Sequence, residues 1–209
     1  MHRLAITFFV LFSAISAHAS SIAVTSFTGG QLAHPSGDKL YGWFFDNNAD
    51  IFVTNLGVFD ADGDGLSIAH DVGIFRVSDH SLLLSNTVPA GTGATLLDGF
   101  RYVPVSPFFL PAAAYVIVMT MPDSNADGQF ISNTTLTTAP QITWTGSAVA
   151  GSLSLVYPTV DASFFDIGMF GPNFQFDAGA DTTSAPEPGS VLLLLGGGLT
   201  LAFLRRSRV

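Results

Sequence analysis

Along the middle of this chain, apolar and polar residues alternate in short runs, and Gly, Pro, Asn, Asp, Ser or Thr interrupts them about every ten residues. No segment there sustains the 3.6-residue period of a helix. The pattern predicts an all-β fold, an antiparallel β-sandwich of jelly-roll-like type. Strands are expected near residues 22–27, 41–45, 51–59, 72–77, 82–87, 100–105, 114–121, 142–145, 152–157 and 173–176. Residues 115–119 are apolar at every position, which suits a central strand covered on both faces. Pro104, Pro107 and Pro111 place residues 100–110 at an edge or a bulge. Most of the 19 phenylalanines fall in or beside such runs and are expected to fill the space between the sheets.

The two ends follow a different pattern. Arg3 precedes an apolar run over residues 4–15, and Ala17-His18-Ala19 supplies the small-x-small site of a signal peptide ending at residue 19. At the other end, residues 191–204 carry no charge. As a helix this run reaches about 21 Å, short of a hydrocarbon core of about 30 Å. Arg205, Arg206 and Arg208 follow it and hold their end in the cytoplasm. The expected organisation is thus a signal peptide over 1–19, a sandwich domain over 20–180, and a linker and tail over 181–209 with a short hydrophobic helix.

Pro186-Glu187-Pro188, the apolar run and the arginine cluster, in that order, resemble the PEP-CTERM sorting signal of Gram-negative bacteria. The resemblance implies that signal peptidase and exosortase, a membrane protease/transpeptidase, process the chain. It implies a transient inner-membrane intermediate held by the C-terminal helix, then release or transfer to the cell surface or the extracellular space. Three stretches of the middle, GVFDADGDGL with HDVGIF, VPAGTGATLLDGFRYV and FGPNFQF, resemble a β-sandwich domain recurrent in PEP-CTERM proteins, whose function is uncharacterised. That likeness implies a fold and a habitat and carries no catalytic residues.

Charge narrows the partners. Between residues 20 and 185 there are 15 aspartates, no glutamate and only Lys39, Arg76 and Arg101 as bases, a formal charge of about −12. Nucleic acid and anionic lipid are poor partners for such a surface. The chain has no cysteine, so an exported domain would rest on its core without disulfides, with bound ions as a further source of order.

The segment DADGDGLSIAHD spaces Asp60, Asp62, Asp64, Gly65 and Asp71 as an EF-hand calcium loop does. In that reading Leu66 offers its backbone carbonyl and Asp71 closes the shell. Asp71 is shorter than the usual closing glutamate, and strands flank the loop where an EF-hand has helices. Two readings fit: a strand-flanked calcium loop, or a solvated hairpin loop built on Asx turns. A partial copy at Asp123–Gly128 lacks a closing carboxylate, because Thr134 stands at its last position.

No G-x-S-x-G, H-E-x-x-H or P-loop pattern occurs, and no enzyme is expected. The expected function is that of an exported, exosortase-sorted surface or extracellular-matrix-associated structural or interaction protein. The alternative is a carbohydrate-binding module for extracellular polysaccharide, with Trp43 and Trp144 as candidate sugar-stacking residues; a hydrolase ranks third.

Overall fold

The structure, a computed structural model, describes residues 20–33, 37–123, 127–158, 160–161 and 170–178. The signal-peptide site at Ala17 and Ala19 and the sorting residues Pro186, Glu187, Pro188, Arg205, Arg206 and Arg208 lie outside them. Among the described residues there is no helix long and apolar enough to cross a membrane.

Among the described residues thirteen strands follow one another: β1 (Ser21–Ile22), β2 (Val24–Ala33), β3 (Lys39–Asn47), β4 (Ile51–Phe59), β5 (His70–Arg76), β6 (Leu82–Val88), β7 (Thr95–Leu97), β8 (Phe100–Leu110), β9 (Ala113–Met121), β10 (Gln129–Thr138), β11 (Ile142–Ala150), β12 (Val160–Asp161) and β13 (Pro172–Ala178). All ladders are antiparallel. They form a five-stranded sheet, β1-β13-β4-β8-β7, a six-stranded sheet, β12-β11-β3-β9-β5-β6, and a ribbon of β2 with β10. The fold is all-β and sandwich-like.

One core unites the two large sheets. Val53, Leu56, Tyr102, Phe174 and Phe176 from the five-stranded sheet are buried with Trp43, Phe45, Ile74, Tyr115 and Ile117 from the six-stranded one. Aromatic edges and faces meet throughout it: Phe45 lies 5.2 Å from Phe174 and 5.6 Å from Tyr115, ring centre to ring centre. Trp43 is wholly buried there, and its Nε1 donates to Pro172 O at 2.8 Å, tying β3 to β13 across the interface.

Residues 115–119 lie, as their composition predicts, in the central strand β9 between β3 and β5. Tyr115, Ile117 and Met119 face the main core, while Val116 and Val118 join Leu40, Phe75 and Ala148 in a second cluster. Leu155 and Tyr157 cover that second cluster from a segment that pairs with no strand. The strand expected at 152–157 is therefore absent: its alternating apolar residues act as a cover over the sheet without joining a ladder. Tyr157 also stacks on His80, with ring centres 3.8 Å apart. The prolines act as anticipated, since β8 bulges against β4 between the Phe108–Val53 and Pro104–Asn55 pairs.

Where the chain leaves the five-stranded sheet for the ribbon, between β1 and β2, the ladder is completed by a side chain. Ala23 N donates to Phe174 O at 2.9 Å, whereas Val24 N donates to the Asn173 side-chain Oδ1 at 3.0 Å. Asn173 Nδ2 in turn donates to Val24 O at 3.1 Å, so a buried amide replaces one residue of a missing strand.

Candidate functional site

The aspartate-rich loop joins the end of β4 to the start of β5, at one end of the sandwich. Asp60 directly follows β4 and is buried, at 4% exposure. Its Oδ1 accepts from Gly63 N and its Oδ2 from Gly65 N, both at 3.2 Å, which curls the loop around its own first carboxylate. The curl requires a positive φ at Gly63 (75°) and Gly65 (113°), a region in which L side chains are strained.

A charge that deep needs a partner, and Arg101 of β8 supplies it. Its Nε donates to Asp60 Oδ2 at 2.7 Å, its NH2 nitrogen to Gly63 O at 2.7 Å, and its NH1 nitrogen to Thr92 O and Ala94 O at 3.2 Å. One guanidinium thus holds a carboxylate and three carbonyls from two loops. Both members of the pair are nearly inaccessible, with side chains 5% and 3% exposed. Sequence reasoning missed Arg101, although a base between Phe100 and Tyr102 in a chain with so few bases is a signal of a buried pair.

Asp62 and Asp64 are exposed, and their carboxylate oxygens lie within 4.8 Å of one another and of Asp60. The Asp64 carboxyl is raised above its ordinary value, first by its hydrogen bond with Asp62 and then by that neighbour's charge. Two of the expected ligands are engaged elsewhere. Leu66 O accepts from Gly91 N at 2.7 Å, with the Leu66 side chain sunk into the core. Asp71 already belongs to β5, where its Oδ1 accepts from Thr87 Oγ1 at 2.6 Å, and it stands outside the three-carboxylate group. The EF-hand spacing is present in the sequence while the closing residue is committed to a ladder.

The acidic neighbour that does reach this loop comes from the partial copy. Asp127 accepts from Ser67 N at 2.9 Å and from Ser67 Oγ at 2.8 Å, and its Oδ2 lies 3.1 Å from His70 Nε2. His70 is wholly buried, and its other ring nitrogen, Nδ1, lies 2.6 Å from Thr120 O. Both ring nitrogens therefore face oxygen atoms. Burial pushes the Asp127 carboxyl up, but the hydrogen bonds from His70 and Ser67 outweigh it and hold the group below its ordinary value. Asp127, Gly128, Gly91 and Leu32 enclose, with the Asp60–Ser67 loop, a cavity of about 440 Å³. Asp127 and Gly128, the end of the partial copy, thus share one opening with the first acidic loop.

No protein-family model matches the chain, and no curated protein is significantly similar to it. Of the two candidate sugar-stacking residues, Trp43 has no face open to any ligand. Trp144 is half-buried and lies on β11, far along the chain from the acidic loop.

Proposed function

We propose that this chain is exported and sorted to the surface or extracellular matrix of a Gram-negative bacterium, and that it serves there as a structural or interaction protein. The observation that carries this reading is the ordered tail of Pro186-Glu187-Pro188, apolar run and arginine cluster, together with Ala17-x-Ala19 at the other end. Signal peptidase and exosortase are its processing partners, and the C-terminal helix is its transient hold on the inner membrane. The body fits the role. It is disulfide-free, acidic and built on one aromatic core. Repeated passage between the two sheets, as from β3 to β4, β4 to β5 and β8 to β9, supports a jelly-roll-like reading of the sandwich. Changing Pro186, Glu187 and Pro188 together to Ala, Gln and Ala leaves the protein in the inner-membrane fraction when cells are fractionated. Undiminished surface delivery of that variant overturns the sorting reading.

Calcium is the ion we propose for the acidic loop, held chiefly by Asp62 and Asp64 with Asp60 shaping the turn behind them. What supports it is the proximity of two exposed carboxylates, with Arg101 already spent on Asp60. With Leu66 and Asp71 withdrawn, affinity falls at the weak end of extracellular modules, about 10⁻⁴ to 10⁻³ M. About 5 mM calcium then raises the Tm by about 2–8 °C over a chelator control, by mass action on the folded state. Asp62→Ala with Asp64→Ala removes the rise. An identical Tm with calcium and with chelator in the unaltered protein sinks the calcium reading.

A further inference from the structure

The ribbon strand β10 approaches β11 through the turn at residues 139–141, where Thr138 Oγ1 donates to Ile142 O at 2.6 Å. No ladder joins the two strands. Beyond the turn a cleft of about 320 Å³ opens between them, at the small end of the range of about 300–1,000 Å³ typical of ligand sites. Thr134, Thr135 and Leu136 line it from β10, and Thr143 and Trp144 from β11.

Two residues that line this cleft each carry a buried polar atom without a hydrogen-bond partner among the described residues: Thr134, only 1% exposed, its Oγ1, and Trp144 its Nε1. Buried polar groups are almost always paired, so two orphans lining one opening require an explanation. They offer one hydroxyl, which donates or accepts, and one N–H donor, beside the apolar surface of Leu136 and the indole. No charged side chain lines the cleft. An ionic ligand would find no counter-charge there, and a purely apolar one would leave both polar atoms unpaired. A neutral ring bearing several hydroxyls meets every requirement: its hydroxyls pair with Thr134 Oγ1 and Trp144 Nε1, and its C–H face packs on the apolar wall.

We propose that the cleft between β10 and β11 binds one ring of a neutral saccharide, with Thr134 and Trp144 as its polar contacts. This goes beyond the sorting and calcium readings and stands or falls without them. It also gives Thr134, the residue that breaks the second acidic loop pattern, a role of its own.

The test uses the full chain labelled with 5-fluorotryptophan, whose two tryptophans give two ¹⁹F resonances. Trp43, sealed in the core, is the internal control. Titration with glucose, galactose, mannose and N-acetylglucosamine is expected to move the Trp144 resonance saturably with at least one sugar and to leave Trp43 in place. Thr134→Val then weakens that sugar by about tenfold while the Tm holds or rises, because the lost hydroxyl had no partner in the protein. Trp144→Phe, followed by calorimetry, weakens it similarly and keeps the test valid if the valine variant fails to fold. Absence of a saturable shift with all four sugars at about 100 mM, a hundredfold above a Kd of about 1 mM, overturns the proposal and leaves the orphans to ordered water. So does undiminished binding in a folded Thr134→Val protein.

Discussion

Chemical denaturation of Arg101→Ala is expected to show a loss of about 3–5 kcal/mol in unfolding free energy, a fall in Tm of about 6–20 °C for a domain of this size. The loss has little to do with the strength of the pair itself. Removing the guanidinium strands the Asp60 carboxylate at 4% exposure and unpairs Gly63 O, Thr92 O and Ala94 O together. Lysine does not rescue it, because a single ammonium cannot replace a planar fork with three nitrogens in use. Asp60→Asn added to Arg101→Met recovers part of the loss, since no charge then remains buried while one side-chain acceptor still serves the Gly63 or Gly65 amide. A stability for Arg101→Ala within about 1 kcal/mol of the parent would mean that water reaches Asp60 and that the pair is a surface pair in energetic terms.

Gly42→Ala is expected to be harsher, with a loss beyond about 4 kcal/mol or no folded protein at all. Gly42 sits in β3 opposite Val118 of β9 and Ala148 of β11. A Cβ built there collides with the Ile117 carbonyl oxygen and comes within 2.8 Å of the Ile117 carbonyl carbon and Val118 Cα. These are backbone atoms in the middle of the six-stranded sheet, so no rotamer change relieves the overlap and β3 would have to part from β9. Gly151→Ala is the matched control, with nothing within 4 Å of its added carbon, and should stay within about 0.5 kcal/mol of the parent. Circular dichroism and a denaturation curve on both variants decide the matter: a Gly42→Ala protein as stable as Gly151→Ala would show that the β3–β9 approach is looser than described.

Hydrophobic alternation revealed most strands because each large sheet buries one face against the other, and that demand is written locally as a two-residue period. It failed where the demand is absent. Among the described side chains of β10, Thr134, Thr135, Thr137 and Thr138 supply β-branched residues without apolar alternation, and Leu136 alone packs on the main core. At residues 152–157 the alternation is real, but Leu155 and Tyr157 serve to cover Val116 and Val118, a task that needs apolar side chains and no ladder. The acidic loop was legible as chemistry and illegible as geometry. Spacing alone put Asp71 with Asp60, Asp62 and Asp64, yet Asp71 had already entered β5, and strand pairing gave its carboxylate to Thr87. Asp127 could not be found by spacing, since only the return of β9 toward β10 brings it to Ser67 and His70.

The exchange at Asn173 has a consequence for when this chain can finish folding. Among the described strands β1 pairs with β13 alone, and the amide that completes Val24 stands 149 residues farther along the chain. The first and last of the described strands thus complete each other. Such long-range closure is slow, because loop entropy is lost before the contact repays it. Until β13 is made, β1 lacks its described partner and the five-stranded sheet its full complement. If the chain is exported as proposed, this order of closure would itself supply the delay that a holding chaperone otherwise provides.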